Sequence, residues 1–158
     1  MHNTKIDISE EIRAKMIEAL NARLADSIDL KSQAKQAHWN VKGMNFIALH
    51  ELFDQVSVEI ENYSDMIAER VTTLGGTAEG TVRVSAEKSS LNQYPMEITE
   101  GRDHVDALSS ALATYAKKTR ANVDDADVAG DMITADLFTE VARGTDKLLW
   151  FVEAHAQS

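Results

Sequence analysis

Four long segments with apolar residues at helical spacing, no alternating strand pattern, and one linker of about twenty residues predict an all-α four-helix bundle with a single long crossover. The first helix is predicted over residues 9–38. Ser9 reads as its N-cap, with Glu10 and Glu11 favoured in the first turn by the helix dipole. Ile12, Met16, Leu20, Leu24 and Ile28 recur every four residues and mark its packing face, and Gly43 breaks the chain behind it. In the second helix Phe46, Leu49, Phe53, Val56, Ile60, Tyr63 and Ile67 follow a 3-4 spacing, a stripe that packs on other helices, and the helix is expected to stop before Gly75-Gly76. The crossover takes residues 75–98, with one short helix expected at 86–91. The third helix is predicted over 99–122, with Val105, Leu108, Leu112 and Tyr115 inward, and the fourth over 130–155, with Ile133, Leu137, Val141, Leu148 and Val152 inward. Gly144 inside the fourth costs on the order of 1 kcal/mol relative to Ala; close approach of another helix is the expected reason.

A connection that long does not suit a simple up-down hairpin. It suits a crossover along the length of a bundle, as in ferritin-like folds. The chain of 158 residues is one domain's worth, 1–158, with a short tail at 1–8. One proline and seven glycines are too few for a loop-rich β-sandwich, and the lack of cysteine excludes a disulfide scaffold, a thiol nucleophile and thiolate metal sites. No apolar run approaches the roughly 20 residues of a membrane span, and residues 1–11 hold no apolar signal region. A soluble, cytoplasmic protein without membrane contact is the expectation. Sixteen Lys and Arg against 26 Asp and Glu give a net charge of −10, which argues against nonspecific binding of phosphate backbones and fits attraction of cations.

Five residues carry candidate chemistry: His38, His50, Asp54, Asp65 and Glu69. Imidazole and carboxylate are ligands for iron, zinc or manganese, with iron favoured where carboxylates are plentiful. His50/Asp54 and Asp65/Glu69 are each spaced i, i+4, so each pair shares one face of the second helix. With Phe46 set to zero and about 100° per residue, the four fall near 40°, 80°, 100° and 140°, well away from the core stripe centred at about −45°. Ile47 and Val58 lie on the same outward stripe, and a face mixing apolar residues with ligands reads as an interface. Asp54 and Asp65 are separated by about 16 Å along the axis at 1.5 Å per residue. Bonds to a metal are about 2 Å, so the two pairs of one chain cannot share an ion. An antiparallel second helix from a two-fold mate would bring its Asp65/Glu69 opposite this chain's His50/Asp54, giving two identical shared sites. The competing reading is a solvated acidic face on a helical structural protein, because i, i+4 acid pairs on helices are usually surface.

The stretch Lys35-Gln36-Ala37-His38-Trp39-Asn40-Val41-Lys42-Gly43, followed by Asn45-Phe46-Ile47-Ala48-Leu49-His50-Glu51-Leu52-Phe53-Asp54, resembles the signature of the Dps family, the bacterial mini-ferritins. The likeness continues through Asp65-Met66-Ile67-Ala68-Glu69-Arg70, Leu74-Gly75-Gly76 and Asp146-Lys147-Leu148-Leu149-Trp150-Phe151-Val152-Glu153. The family's ligand spacing, H-x11-H-x3-D-x10-D-x3-E, is met at every position. The resemblance implies a homo-dodecameric shell with ferroxidase centres at its two-fold interfaces, Fe(II) oxidised there with hydrogen peroxide as the preferred oxidant, and ferric mineral stored inside, which protects against oxidative damage. By the same match His38, His50 and Asp54 come from one subunit and Asp65 and Glu69 from its mate. Asp65, Glu69 and His38 then bind the tighter iron, and His50 and Asp54 hold a second iron or a water bridging to it. Zinc or manganese can compete for such ligands. Trp39, next to a ligand, either traps an oxidising equivalent or packs at the interface. Ordinary ferritins instead use Glu-x-x-His inside one bundle; the residues three before His38, His50, His104 and His155 are Lys35, Ile47, Gly101 and Val152, so an intrachain centre is not expected.

Between Asn122 and Glu140 lie six acids and no Lys or Arg. One reading is a solvated helix start. The family resemblance implies acidic three-fold pores, with Asp131, Asp136 and Glu140 as the lining candidates. Many family members bind DNA through lysine-rich tails. Here the only side-chain cation before Ser9, leaving histidine aside, is Lys5, opposed by Asp7, and the last five residues have no Lys or Arg. Direct DNA binding is therefore not expected, and a DNA-condensing nucleoid protein is the alternative function. His2 near the amino terminus is a weak further metal candidate.

Overall fold

A computed structural model describes residues 1–157. Its described residues form five helices: α1 (Glu10–Asn40), α2 (Phe46–Thr73), α3 (Val82–Lys88), α4 (Gly101–Ala129) and α5 (Met132–Glu153). The fold class is all-α, a four-helix bundle with the short α3 in its crossover. α1 packs on α2 and α4 on α5 as two hairpins with tight turns. The hairpins meet through α1 on α4 and α2 on α5, while α3 lies against α1.

Local chemistry sets the ends. Ser9 caps α1, its hydroxyl accepting from the Ile12 amide at 3.3 Å. α1 runs to Asn40, slightly beyond the expected end, and stops where Val41 turns extended. α2 ends before Gly75, which sits at φ +88°; a Cβ there would lie 2.5 Å from the His2 carbonyl oxygen. The His2 amide donates to the Gly75 carbonyl at 2.7 Å, which ties the first residues to this corner.

Four expectations are corrected. The crossover helix lies at Val82–Lys88, not 86–91: Thr81 caps it by accepting from the Val84 amide, a start signal inside an otherwise polar run. α4 continues past 122 to Ala129, where Gly130 at φ +83° ends it. Asp124, Asp125 and Asp127 are thus in the last turns of α4, against the helix dipole, and burial of Ala126 holds those turns in place. They are not the start of α5. On α5, Ile133 is 65% exposed rather than inward. The buried stripe instead runs Thr134, Phe138, Val141, Thr145, Leu148 and Val152 at 3-4 spacing. Two threonines disguise it, their hydroxyls satisfied by Asp131 (2.5 Å) and the Val141 carbonyl (2.8 Å). Phe46, assigned to the α2 core stripe, is also exposed, whereas Leu49, Phe53, Val56, Ile60 and Ile67 are buried as read.

The core is filled by Met16, Leu20, Leu30, Phe53, Ile60, Leu108, Tyr115 and Phe138. Gly144 has the expected purpose: the Tyr63 ring of α2 rests on it, and a Cβ there would lie 1.8 Å from the Tyr63 hydroxyl. The crossover is pinned along α1 by side chains. Asp26 accepts from the Ser90 amide (2.6 Å) and hydroxyl, Ser89 donates to Asp29 (2.5 Å), and Gln33 donates to the Asn92 carbonyl (3.0 Å). Among the described residues no helix is long and apolar enough to cross a membrane.

Candidate metal centre

His38 sits in the last turn of α1 and His50 in the second turn of α2, and the tight α1–α2 turn brings them face to face. Their rings stack with centroids 3.7 Å apart and planes 22° from parallel. Each ring donates to the other residue's backbone: His38 Nδ1–H to the His50 carbonyl at 2.7 Å, and His50 Nδ1–H to the His38 carbonyl at 2.8 Å. The His38 carbonyl is one of the orphan acceptors at the end of α1, so the His50 ring also caps that helix. A carbonyl only accepts, hence both Nδ1 atoms carry hydrogen, and in each neutral ring the lone pair lies on Nε2. Fixing the tautomer through the second nitrogen is how proteins orient histidines that bind metal. The Phe46 ring lies 5.1 Å from that of His50.

Asp54 follows His50 by one turn. Its carboxylate is paired with the Lys35 ammonium from α1, one turn before His38. The Lys35 hydrogen bond holds the Asp54 carboxyl below the usual carboxylate range, against a smaller opposing effect of burial. In the sequence Lys35 opens the histidine motif and stands where an ordinary ferritin would carry Glu, three residues before His38. Its i, i+3 spacing from His38 was the signal that placed it on the same face.

Asp65 and Glu69 are exposed on the far half of α2. No ion pair involves either of them among the described residues. Nor do any three His, Asp or Glu side chains converge on a common point among those residues. The chain therefore presents two separated donor groups, an imidazole pair beside Asp54 and a bare acid pair, on one outward face. Exposed apolar side chains occur along this stretch of the chain: Trp39 is 68% exposed, Ile47 61% and Val58 49%, with Met44 and Phe46 also open. Large apolar side chains clustered on a surface mark an interaction site.

The acidic stretch divides. Asp136 and Glu140 are exposed on α5. Asp131 is not a free pore carboxylate: it is 1% exposed, accepts from the Thr134 amide at 3.0 Å as the α5 N-cap, and pairs with Arg70 at 2.9 Å. All its oxygens are consumed inside the protein.

Residues 17–158 match the family model for the ferritin-like domain. The DNA protection during starvation protein of Agrobacterium fabrum is 46% identical to this chain, covering 99% of it and 96% of the relative. The protein of that description from Mycolicibacterium smegmatis is 30% identical, covering 96% of this chain and 82% of the relative. Among solved structures, Mycobacterium smegmatis Dps in a tetragonal form aligns with a TM-score of 0.94 at 29% identity, covering 99% of this chain and 96% of that one. Dps from Microbacterium arborescens in the high iron form aligns at 0.88 and 34%, covering 94% and 96%.

Proposed function

The chain belongs to the ferritin-like family, and within it to the DNA protection during starvation (Dps) proteins, and from that premise we propose that it is a ferroxidase and iron store whose catalytic centres are shared between two subunits. The reading rests above all on the stacked His38/His50 pair, whose two Nε2 atoms are left free on an outward face while the acid pair lies too far along the same helix to join them. A two-fold mate supplies what one chain lacks.

In this centre Fe(II) is the substrate. His38 of one subunit with Asp65 and Glu69 of its mate hold the tighter ion, and His50 and Asp54 hold the second or a water bridging to it. Two Fe(II) give up one electron each, the O–O bond of hydrogen peroxide breaks, and two protons complete two waters, with two Fe(III) left for the mineral. The protein's contribution is ligation and orientation: the carbonyl clamps fix both imidazoles before iron arrives, and the exposed apolar residues Phe46 and Ile47 beside His50 would be covered once the interface closes. Trp39 lies beside His38 and is the residue placed to give up an electron if an oxidising equivalent escapes. Zinc or manganese would occupy the same donors without supplying the electrons in the same way.

The shell is a homo-dodecamer in this reading. Asp136 and Glu140, exposed on α5, draw Fe(II) inward through an acidic opening. Protection of DNA is chemical in this reading, by removal of iron and peroxide together, since a net charge of −10 disfavours contact with a phosphate backbone. The test is the double variant Asp65→Asn with Glu69→Gln. Anaerobic Fe(II) loading followed by peroxide should give ferric absorbance no faster than in protein-free buffer, with particle mass unchanged. Oxidation at the parent rate in that variant would refute the site.

A further inference from the structure

The first turn of α4 backs the two helix ends that carry the imidazole pair. Just before it, the Thr99 carbonyl accepts from the Lys42 amide at the exit of α1, at 3.2 Å. Gly101 opens α4 against α2: a Cβ there would lie 2.7 Å from Leu49 Cδ1, and Leu49 precedes His50. His104 completes the turn. It is 1% exposed, with Nδ1 2.6 Å from the Tyr94 hydroxyl of the crossover, and its Nε2 is sealed from solvent without a fully formed hydrogen bond. Burial holds His104 below the usual imidazole range, against Asp103 and the Asn40 backbone, so the ring is neutral at pH 7. A backbone group that favours the charged ring is an acceptor, so the Asn40 carbonyl faces a ring N–H. With Nδ1 taken by Tyr94, that N–H is on Nε2. Burial keeps the Tyr94 phenol protonated, and its O–H donates to the lone pair on Nδ1. Tyr94 thereby sets the tautomer that turns a donor toward Asn40. Asn40 is the last residue of α1, two beyond His38, and its carbonyl is one that the helix leaves without an internal partner.

We propose that His104 is a positioning residue for the imidazole pair: set by Tyr94 from behind, its Nε2–H closes the end of α1 at Asn40 and holds His38 where a shared metal ion needs it. His104 itself touches no metal. This rests on the shared-centre reading above and adds the support behind it. The carbonyl clamps tie His38 and His50 to each other; the α4 turn ties the pair to the bundle. Two imidazoles locked together but free to swing as a unit would still miss an ion held by bonds of about 2 Å. Loss of an outer support of this kind typically costs about 10- to 100-fold in metal affinity.

The experiment compares His104→Asn with His104→Gln in the assembled protein. The Gln amide nitrogen takes the place of Nε2 and donates to Asn40, whereas the shorter Asn amide reaches only the place of Nδ1. Metal-free protein is read by hydrogen exchange of the Val41 and Lys42 amides, followed by mass spectrometry. Metal binding is read by anaerobic equilibrium dialysis against Co(II). His104→Asn should speed the exchange of both amides by about tenfold and weaken Co(II) binding by about tenfold. His104→Gln should stay within about twofold of the parent in both readouts. Val141→Ala, a cavity in the middle of α5, should leave both unchanged. Parent-like exchange and affinity in His104→Asn overturn the proposal. So does His104→Gln behaving as His104→Asn does, and so does an equal loss of Co(II) affinity in Val141→Ala, which would make general loosening the cause. If His104→Asn fails to assemble, Tyr94→Phe takes its place, because it frees the tautomer and keeps the imidazole; parent-like values there overturn the proposal as well. Absence of Co(II) binding in the unaltered protein overturns the shared centre and the role of His104 with it, and the exchange data then show that the centre, not the brace, has failed.

Discussion

If each centre is built from two chains, two inactive variants should repair each other. The first variant, His50→Ala with Asp54→Asn, breaks the histidine half; the second, Asp65→Asn with Glu69→Gln, breaks the acid half. α2 is a continuous helix from Phe46 to Thr73, and at 1.5 Å per residue it holds Asp54 and Asp65 about 16 Å apart. No rotamer change closes that gap to the distance of about 4 Å between two ligands of one ion, given bonds of about 2 Å. In a shell of either variant alone every centre has one broken half. In a two-fold pair of unlike chains, one centre collects both broken halves and the other collects none. Random pairing makes half of the pairs unlike, so about a quarter of all centres should be intact. The variants are co-expressed with different affinity tags and purified through both, and unlike pairs are counted by native mass spectrometry of dissociated dimers. Fe(II) is loaded anaerobically, peroxide is added, and the initial ferric absorbance is compared with the parent. A rate near one quarter of the parent's, scaling with the measured fraction of unlike pairs, is expected. No recovery in particles that demonstrably contain unlike pairs would refute the shared centre.

Other consequences follow from the packing. Gly144→Ala should lower the melting temperature: the new Cβ lies 1.8 Å from the Tyr63 hydroxyl, and overpacking at about 1–3 kcal/mol outweighs a helix-propensity gain of about 1 kcal/mol; an unchanged or higher melting point in differential scanning calorimetry would show that Tyr63 moves freely. Asp131→Ala should cost about 3 kcal/mol or more, because it leaves the Arg70 guanidinium largely buried without its partner and strips the α5 cap, while Asp136→Asn and Glu140→Gln should leave urea unfolding unchanged and slow iron uptake; equal stability across the three would contradict the division between buried and exposed acids. His104 is buried, with Nδ1 accepting from the Tyr94 hydroxyl at 2.6 Å, and burial lowers its pKa from 6.5 against the opposing pull of Asp103 and the Asn40 backbone. A depressed folded value means the unfolded chain binds more protons, so this stabilisation is complete above about pH 6.5 and is lost as pH falls through the folded pKa. His104→Gln should therefore lose less stability than the parent between pH 7 and pH 5, and parallel stability curves would exclude His104 as a contributor.

The fold was legible wherever large apolar residues kept helical time. The α2 stripe and the inward set of α4 announced themselves because Phe, Leu, Ile and Val recur at 3-4 spacing. α5 was misphased because its buried stripe uses Thr134 and Thr145, polar residues whose hydroxyls are satisfied locally, and a reading by hydrophobicity passes over them in favour of Ile133. The end of α4 was misread for a related reason. Its last turns carry Asp124, Asp125 and Asp127 against the helix dipole, so the acids resemble the start of the next helix, and the burial of Ala126 holds them in α4. The family resemblance groups Asp131 with Asp136 and Glu140, and nothing in the sequence around it marks it as buried. Only the fold shows that Arg70, 61 residues earlier, lies within reach of it. The outward placement of His50, Asp54, Asp65 and Glu69 followed from helical angles. The carbonyl clamps did not, because a hydrogen bond between residues 12 apart depends on the path of the intervening turn.

Those clamps bear on how the proposed centre, divided between chains, would be built. A shared centre must assemble from halves that are correctly shaped before they meet, since any disorder in one half is removed only at the expense of binding. The histidine half meets that condition in the single chain: two imidazoles locked by reciprocal bonds to backbone, stacked, and with both Nε2 atoms free. The acid half needs less, because Asp65 and Glu69 are one helical turn apart on a rigid element and a carboxylate accepts a cation from several directions. The precision therefore sits where the donors are directional, at the α1–α2 turn, and the tolerance sits where they are not. An interface that slides by a fraction of an ångström would be absorbed by the carboxylates while the imidazoles stay fixed. That distribution of rigidity suits the proposed centre, which would form twice at every two-fold contact.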